Sequence, residues 1–320
     1  MKKYFIIIGL ILILVFSIIL VNTKKKKDTI RVGEVAHSIF YAPMYVAIEN
    51  KYFEEEGLNI ELLLTSGADK VSAALLSNDI DVGFAGAESI IYIYDKGESN
   101  YFQAFAGLTK RDGQFIVDRK KEELNYNDLK GKEVVVGRKG GMPSLNFINA
   151  LENQNINKDD VNINYSIDYA ALSGAFISGV GDYVNLFEPN ATKLENLGLG
   201  YIVSSVGKYS NEVPYTAFFA RKKYIENNKD VIKKFKNAIN KGLEYVKNHN
   251  EEDVAKTIIN QFNDTSLNDL ITIIKRYKDN DAWLDNTFIT EKSFKNLQDI
   301  MINANLLDKY VDYNDLIINE

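Results

Sequence analysis

The chain reads as an α/β protein of two lobes with a cleft between them. Three observations predict this. From Thr29 on, short apolar runs alternate with helical patterns, which means βαβ units and mainly parallel sheets covered by helices. The series runs twice, over about 29–110 and 115–205, with no Ser/Gly-rich spacer between. After Asp230 the texture turns almost wholly helical. Lobes joined by extended strands, not by a floppy linker, place a cleft where they meet.

In order, "TIRVGEV" is the first strand and is followed by a helix from about Pro43 to Glu56, closed by Gly57. "NIELLL" precedes the helix of "SGADKVSAALLSND", and "DVGFAG" precedes "AESIIYIYDKG". Two strands, "YFQAFAGL" and "QFIVD", come next. "EVVVG" leads to "GGMPSLNFINALENQ", "VNINYSI" to "YAALSGAFISG", and "DYVNLFE" to "PNATKLENLG". Beyond "YTAFFARKKY", Val231, Phe235, Ala238, Ile239, Gly242, Leu243 and Val246 form one apolar stripe at helical spacing. Ser266 and Asp269 form a capping box before "LITIIKRY", and "EKSFKNLQDIMINANLL" is a further amphipathic helix. These stripes are core packing and have no ligand role.

Composition narrows the function. The 320 residues suffice for two ordinary domains, and 46 % hydrophobic with 26 % charged residues is globular usage. The chain has no cysteine, which excludes disulfides, thiolate metal sites and thiol nucleophiles. Residues 1–27 are Lys2 and Lys3, an unbroken apolar run from Phe5 to Val21, then four lysines. With no polar face, this is a secretory signal or a membrane anchor; with no small-residue cleavage site before the lysines, an uncleaved anchor is favoured. Setting aside those six lysines takes the formal charge from −6 to −12, which argues against nucleic acid as a partner. No metal-ligand cluster and no G-x-S-x-G elbow are present, so a catalytic reading finds little support and no catalytic or metal residue is assigned.

The informative residues lie in strand-to-helix turns, because ligands of open α/β sheets bind beyond the carboxyl ends of strands. Helices begin there with unpaired N–H groups and partial positive charge. Pro43, Pro143 and Pro189 suit first helical turns at that side. "TSGAD" puts Ser66 and Gly67 at a helix start, "FAGAES" puts Ala87 and Glu88 there, and "GRKGGMPS" puts Gly140 and Gly141. Glu188, between "YVNLF" and Pro189, faces a strand end, where it can accept from a ligand amine or ring N–H or serve only as a helix N-terminal acid. In "EVAHSIFYAP", His37 and Ser38 supply hydrogen bonds beside the rings of Phe40 and Tyr41; core packing is the competing role for Phe40.

"FYAPMYVAIENKYFEEEGLNIEL", "SGADKVSAALLSNDIDVGFAGAES", "LKGKEVVVGRKGG" and "LFEP" together resemble the solute-binding proteins of bacterial ABC importers. The similar branch is the NMT1/THI5-like superfamily, for sulfonates, taurine, nitrate and thiamine-pyrimidine precursors. The resemblance spans about residues 29–310 and implies the two-lobed periplasmic-binding-protein fold (type II), which closes on ligand by hinge bending. It implies lobe 1 at 29–112 plus 216–320 and lobe 2 at 113–215, with crossovers near Gly113–Phe115 and Val213–Thr216. It also implies ligand contact by Ser38, Tyr41, Ser66, Gly67, Ala87, Glu88, Gly140, Gly141 and Glu188, with Asp168 and Tyr169 as weaker candidates. The expected protein is a non-enzymatic, cofactor-free monomer outside the membrane, tethered by its N-terminus or secreted if cleaved. It would deliver a small organic solute to an ABC permease and its ATPase. The family's usual lipid-modified cysteine is missing here, so a peptide anchor would replace it. An enzyme of pyrimidine or quinone precursor synthesis on the same fold is the alternative; the eukaryotic-type relatives of that kind use a cysteine-rich segment that this chain lacks, which counts against it. A receptor's ligand-sensing domain is a third reading, but residues 1–4 leave no room for a signalling module.

Overall fold

The structure is a computed structural model that describes residues 28–319. The segment read as signal or anchor lies outside the described residues; among those described, no helix is long and apolar enough to cross a membrane.

Ten strands form two five-stranded sheets among the described residues. The first has the order β2-β1-β3-β10-β4, from β1 (Asp28–Glu34), β2 (Leu58–Leu64), β3 (Val82–Gly86), β4 (Phe102–Thr109) and β10 (Thr216–Arg221). The second has the order β7-β6-β8-β5-β9, from β5 (Phe115–Asp118), β6 (Glu133–Val135), β7 (Asn162–Asn164), β8 (Tyr183–Leu186) and β9 (Tyr201–Ser205). Strands β1, β2 and β3 pair in parallel, as do β6, β7 and β8. The sheets are nevertheless mixed. β10 runs antiparallel between β3 and β4, and β5 antiparallel between β8 and β9. These are the two strands by which the chain enters a lobe. It enters from the cleft, where the parallel strands end, so the entering strand must run against them.

The helices are α1 (Ala42–Glu49), α2 (Tyr52–Glu55), α3 (Ala68–Ser77), α4 (Glu88–Asp95), α5 (Met142–Asn153), α6 (Leu172–Ile177), α7 (Asn190–Asn196), α8 (Val206–Tyr209), α9 (Lys222–Asn227), α10 (Lys229–Asn248), α11 (Glu251–Ile258), α12 (Leu267–Asp279), α13 (Glu291–Asn303) and α14 (Tyr313–Leu316). The single helix expected over 43–56 is two. Lys51 adopts a left-handed conformation (φ 61°) that breaks it and swings Phe53 into the core, 5.0 Å from the Phe235 ring. The stripe of α10 is buried as expected except at its start, where Ile232 takes the core position and Val231 is only half-buried. Gly242 sits where α10 meets α1: a Cβ there would run into the carbonyl oxygen of Pro43. Ser266 caps α12 by accepting from Asp269 N–H at 3.1 Å and donating to its carboxylate at 2.8 Å. Pro43 and Pro143 lie in first helical turns, whereas Pro189 is the N-cap residue of α7 after a cis peptide bond.

Candidate functional site

The cleft side is where β1 and β3 end and β10 begins, facing the end of β8 and the start of β5. The two passages between sheets run side by side: Val213 N–H donates to Lys110 C=O and Tyr215 N–H to Thr109 C=O, both at 3.0 Å. Phe40 fills the angle between them. It is fully buried, with its ring 5.2–5.7 Å from Phe187, Tyr215 and Tyr277. A Cβ on Gly113 would press on that ring, and Trp283 Nε1–H donates to the Phe40 carbonyl at 2.8 Å. Phe40 is therefore core packing beside the two passages.

Among the contacts that join the lobes are the following. Ser38 Oγ–H donates to the Glu188 carbonyl at 2.8 Å and accepts from Phe40 N–H at 3.3 Å. Tyr92 O–H donates to Gly140 C=O at 2.8 Å. Glu88, the first residue of α4, accepts from Met142 N–H, the first of α5, at 3.4 Å through Oε1. On the other flank Arg276 of α12 reaches Glu188 Oε1 at 2.9 Å, Thr192 Oγ1 at 2.7 Å and Glu195 Oε2 at 2.6 Å.

The electrostatics follow from burial. Glu88 is 1 % exposed and its Oε2 has no protein partner. Burial pushes its pKa up to about 7, with Arg138 and nearby backbone N–H groups pulling the other way. Asp112, on the first passage, accepts from Gln114 N–H at 2.6 Å through Oδ1, while Oδ2 has no partner; burial pushes its pKa up to about 8. Tyr215 lies in reach of both carboxyls, and burial, with Asp112 next, raises its pKa well above the usual tyrosine value. Both oxygens of the Glu188 carboxylate have protein partners. Thr192 N–H and Oγ1–H bond its two oxygens at 2.8 and 2.9 Å, beside the Arg276 contact. Burial raises its pKa against the pull of Arg276.

The expected residues divide. Ser38, Glu88, Gly140 and Glu188 make the interlobe contacts above. Tyr41 is buried beside them, edge-on to Phe84 at 4.5 Å. Ala87 is the buried N-cap residue of α4, and Gly141 that of α5. His37 turns the other way. Its Nδ1 meets Glu34 at 2.9 Å and its Nε2 meets the Gln261 carbonyl at 2.8 Å. With both nitrogens against acceptors the surroundings favour the protonated ring, and the Glu34 hydrogen bond raises its pKa. Tyr45 O–H donates to the second Glu34 oxygen at 2.7 Å. His37 thus pins the first turn to the C-terminal helices. Ser66 is exposed, and Gly67 N–H is used by the Val35 carbonyl at 3.2 Å. Neither Ser nor Thr caps α3; Gly67 itself is the cap, at φ 142°. Asp168 and Tyr169 lie in an exposed turn, with the Tyr169 ring 5.8 Å from Phe187.

No local pattern marks Tyr92, Asp112, Asn146, Tyr215 or Arg276, which lie inside helices or on the passages. Arg276 looks like any solvated helix-end cation until α12 is placed against α7. No group of His, Cys, Asp and Glu able to hold a metal occurs among the described residues. An open depression of about 530 Å³, lined by Leu76, Asn78, Glu98, Asn100, Arg221 and Lys223, lies at the far end of β10 from the cleft and is unrelated to it.

Comparisons agree with this architecture. The chain matches the family described as "NMT1/THI5 like" over residues 39–253. It is 39 % identical over 309 residues to the "Putative binding protein YtlA" of Bacillus subtilis (strain 168), covering 96 % of this chain and 92 % of that one. Similar solved structures include the alkanesulfonate-binding protein SsuA of Xanthomonas axonopodis pv. citri bound to MOPS (TM-score 0.70, 16 % identity, 91 % of this chain and 98 % of that one). The periplasmic nitrate-binding protein NrtA of Synechocystis PCC 6803 is another (TM-score 0.67, 16 % identity, 91 % and 86 %). At such identities these two speak for the fold, which is the two-lobed periplasmic-binding-protein fold. The family match covers most of the chain and the Bacillus relative nearly all of it, so the chain belongs to the NMT1/THI5-like family.

Proposed function

We propose that the protein is the extracytoplasmic solute-binding subunit of an ABC importer. It takes a small organic solute between its lobes, of the aminopyrimidine or thiamine-precursor class or of the sulfonate and taurine class, closes by hinge bending and delivers it to a permease. In this reading residues 29–112 with 216–320 form one lobe and 113–215 the other, the chain acts as a monomer, and residues 1–27 hold it at the membrane. The observation that carries the reading is the interlobe contact itself. Helices α4 and α5 start against each other there, with buried polar atoms that no protein group satisfies, such as Glu88 Oε2 and Asn146 Oδ1. Buried polar atoms are ordinarily paired, and a solute seated between the lobes would pair these. The relative named as a binding protein supports the same reading.

Thermal unfolding of the full-length chain in detergent, against aminopyrimidines, thiamine, riboflavin, taurine, alkanesulfonates and nitrate, tests it. A ligand at about 100 times its Kd adds about 2.7 kcal/mol, which raises the midpoint by about 2–4 °C in a protein this large. A rise with at least one compound is expected. A flat response across the whole panel counts against the reading.

A further inference from the structure

We propose that closing of the lobes takes up a proton at Glu88, so that the closed form gains on the open one as the surroundings turn acid. This rests on the reading of the chain as two lobes that close by hinge bending, and adds a proton to what closure binds.

The cover over Glu88 carries the argument. Glu88 opens α4 in the first lobe and is 1 % exposed. Much of what seals it comes from the second lobe. Met142 N–H, at the start of α5, donates to its Oε1 at 3.4 Å. The Met142 side chain lies over the same spot, since a Cβ on Gly86 would stand 2.0 Å from Glu88 Oε2 and 2.5 Å from Met142 Cγ. Tyr92, one turn along α4, fastens that segment down by its bond to the Gly140 carbonyl at 2.8 Å. Glu88 Oε2 itself has no partner in the protein. When the lobes part, residues 140–142 lift away and both oxygens meet water. The same carboxyl is therefore dry in the closed form and solvated in the open one.

A dry carboxyl favours its neutral form, and a solvated one its charged form at neutral pH. In the closed form burial is the largest influence and pushes the Glu88 pKa up to about 7. Arg138, exposed just before α5, pulls the other way, as do the N–H groups of Glu88, Met142 and Ser89. The N–H groups of Glu88 and Ser89 belong to α4 and stay in the open form, whereas Arg138 and Met142 leave with the second lobe. The other titratable groups that face Glu88 are tyrosines: Tyr92 on α4, Tyr41 on the first turn and Tyr215 on the second passage. Burial raises all three above the usual tyrosine value, so they stay neutral throughout. In the open form the carboxyl returns to about 4. Between the two values closing binds a proton, and by linkage acid favours closing. A solute enclosed only by the closed form is then held more tightly in acid.

The test is the distance between two spin labels. The chain has no cysteine, so two introduced ones are labelled cleanly. Lys96→Cys and Glu152→Cys place them at the far ends of α4 and α5, the helices that start against each other. Double electron–electron resonance on the full-length, solute-free chain in detergent reads the open and closed forms. The closed-to-open ratio is expected to rise about 10- to 100-fold from pH 8 to pH 5. Glu88→Gln imitates the protonated acid, so its ratio should be high and the same at every pH. His37→Gln and Asp112→Asn remove the other raised groups and should each keep the dependence on pH. His37 has both partners, Glu34 and Gln261, in its own lobe, and Asp112 is buried on the passage itself. These two variants decide the matter even if E88Q fails to fold. A ratio indifferent to pH, a shift that survives in E88Q, or one that vanishes with His37 or Asp112 overturns the inference and leaves hinge closure standing. One fixed distance at every pH counts against both.

Discussion

Glu88 and Asp112 are carboxyls held in apolar surroundings, and both have folded-state pKa values above the ordinary range, near 7 and 8. An acid raised in this way binds more protons folded than unfolded. Its contribution is therefore greatest at low pH and is lost as pH rises from the unfolded pKa, about 4, through the folded value. His37, raised by Glu34, adds in the same direction: its contribution is complete below about pH 6.5 and is lost as pH rises through the folded value. The free energy of unfolding should fall by several kcal/mol between pH 5 and pH 8, measured by urea titration at several pH values. Asp112→Asn keeps the acceptor for Gln114 N–H and removes the charge. Its profile should be flatter, and at pH 8 it should be more stable than the parent by several kcal/mol. A profile parallel to the parent's would mean that Asp112 is not the titrating group. His37 and Glu188 carry the other lesson of this scale. A histidine and a carboxylate at strand ends invite a ligand role, yet here each already has its hydrogen-bond partners within the protein.

Between elements, the contact of α10 with α1 depends on one missing side chain. Gly242 lets the Pro43 carbonyl touch the helix backbone. Gly242→Ala gains about 1 kcal/mol of helix propensity but forces the helices apart, at a cost of about 2–4 kcal/mol where overpacking meets backbone. The second effect is larger. The variant should be less stable by about 1–3 kcal/mol, and an unchanged or higher melting temperature would show that α10 can slide. The same contact displaces the start of the first turn's helix if it moves, so the variant should also bind solute more weakly. Elements were legible wherever a local pattern dictated them: the β1 and β3 runs, the stripe of α10 and the Ser266 cap all form where the sequence places them. The break at Lys51 was not, because "YVAIENKYFEEEG" has helical character throughout and only the burial of Phe53 selects a left-handed residue in the middle.

For the whole molecule, Arg276 is the strongest single tie between lobes on its flank, binding Glu188 and Glu195 across the cleft. Glu188 is wholly buried, while Arg276 is 27 % exposed, so part of the attraction is screened. Arg276→Met leaves Glu188 with Thr192 alone. It should destabilise the protein by about 2–4 kcal/mol and shift the ligand-free population toward separated lobes. Small-angle scattering should show a larger radius of gyration that returns toward the parent's on adding solute. An unchanged radius with lowered stability would make Arg276 a structural tie with no part in closure.

By itself, the sequence determined the α/β class, the doubling of the βα series, the helical C-terminal region and the turns in which polar residues gather, because each is written in contiguous residues as periodicity, glycine, proline or a cap. Which of those polar residues face one another was decided only by the tertiary structure. Glu88 meets Met142 across 54 positions, Ser38 meets Glu188 across 150, and Arg276 meets Glu188 across 88. The antiparallel run of β5 and β10 is of the same kind: nothing local in "FIVD" or "TAFFAR" sets strand direction, which follows from entering each lobe at the cleft. Spacing along a chain carries no record of such distances, because they arise from how the strand ends of two sheets are brought face to face by the passages that join them.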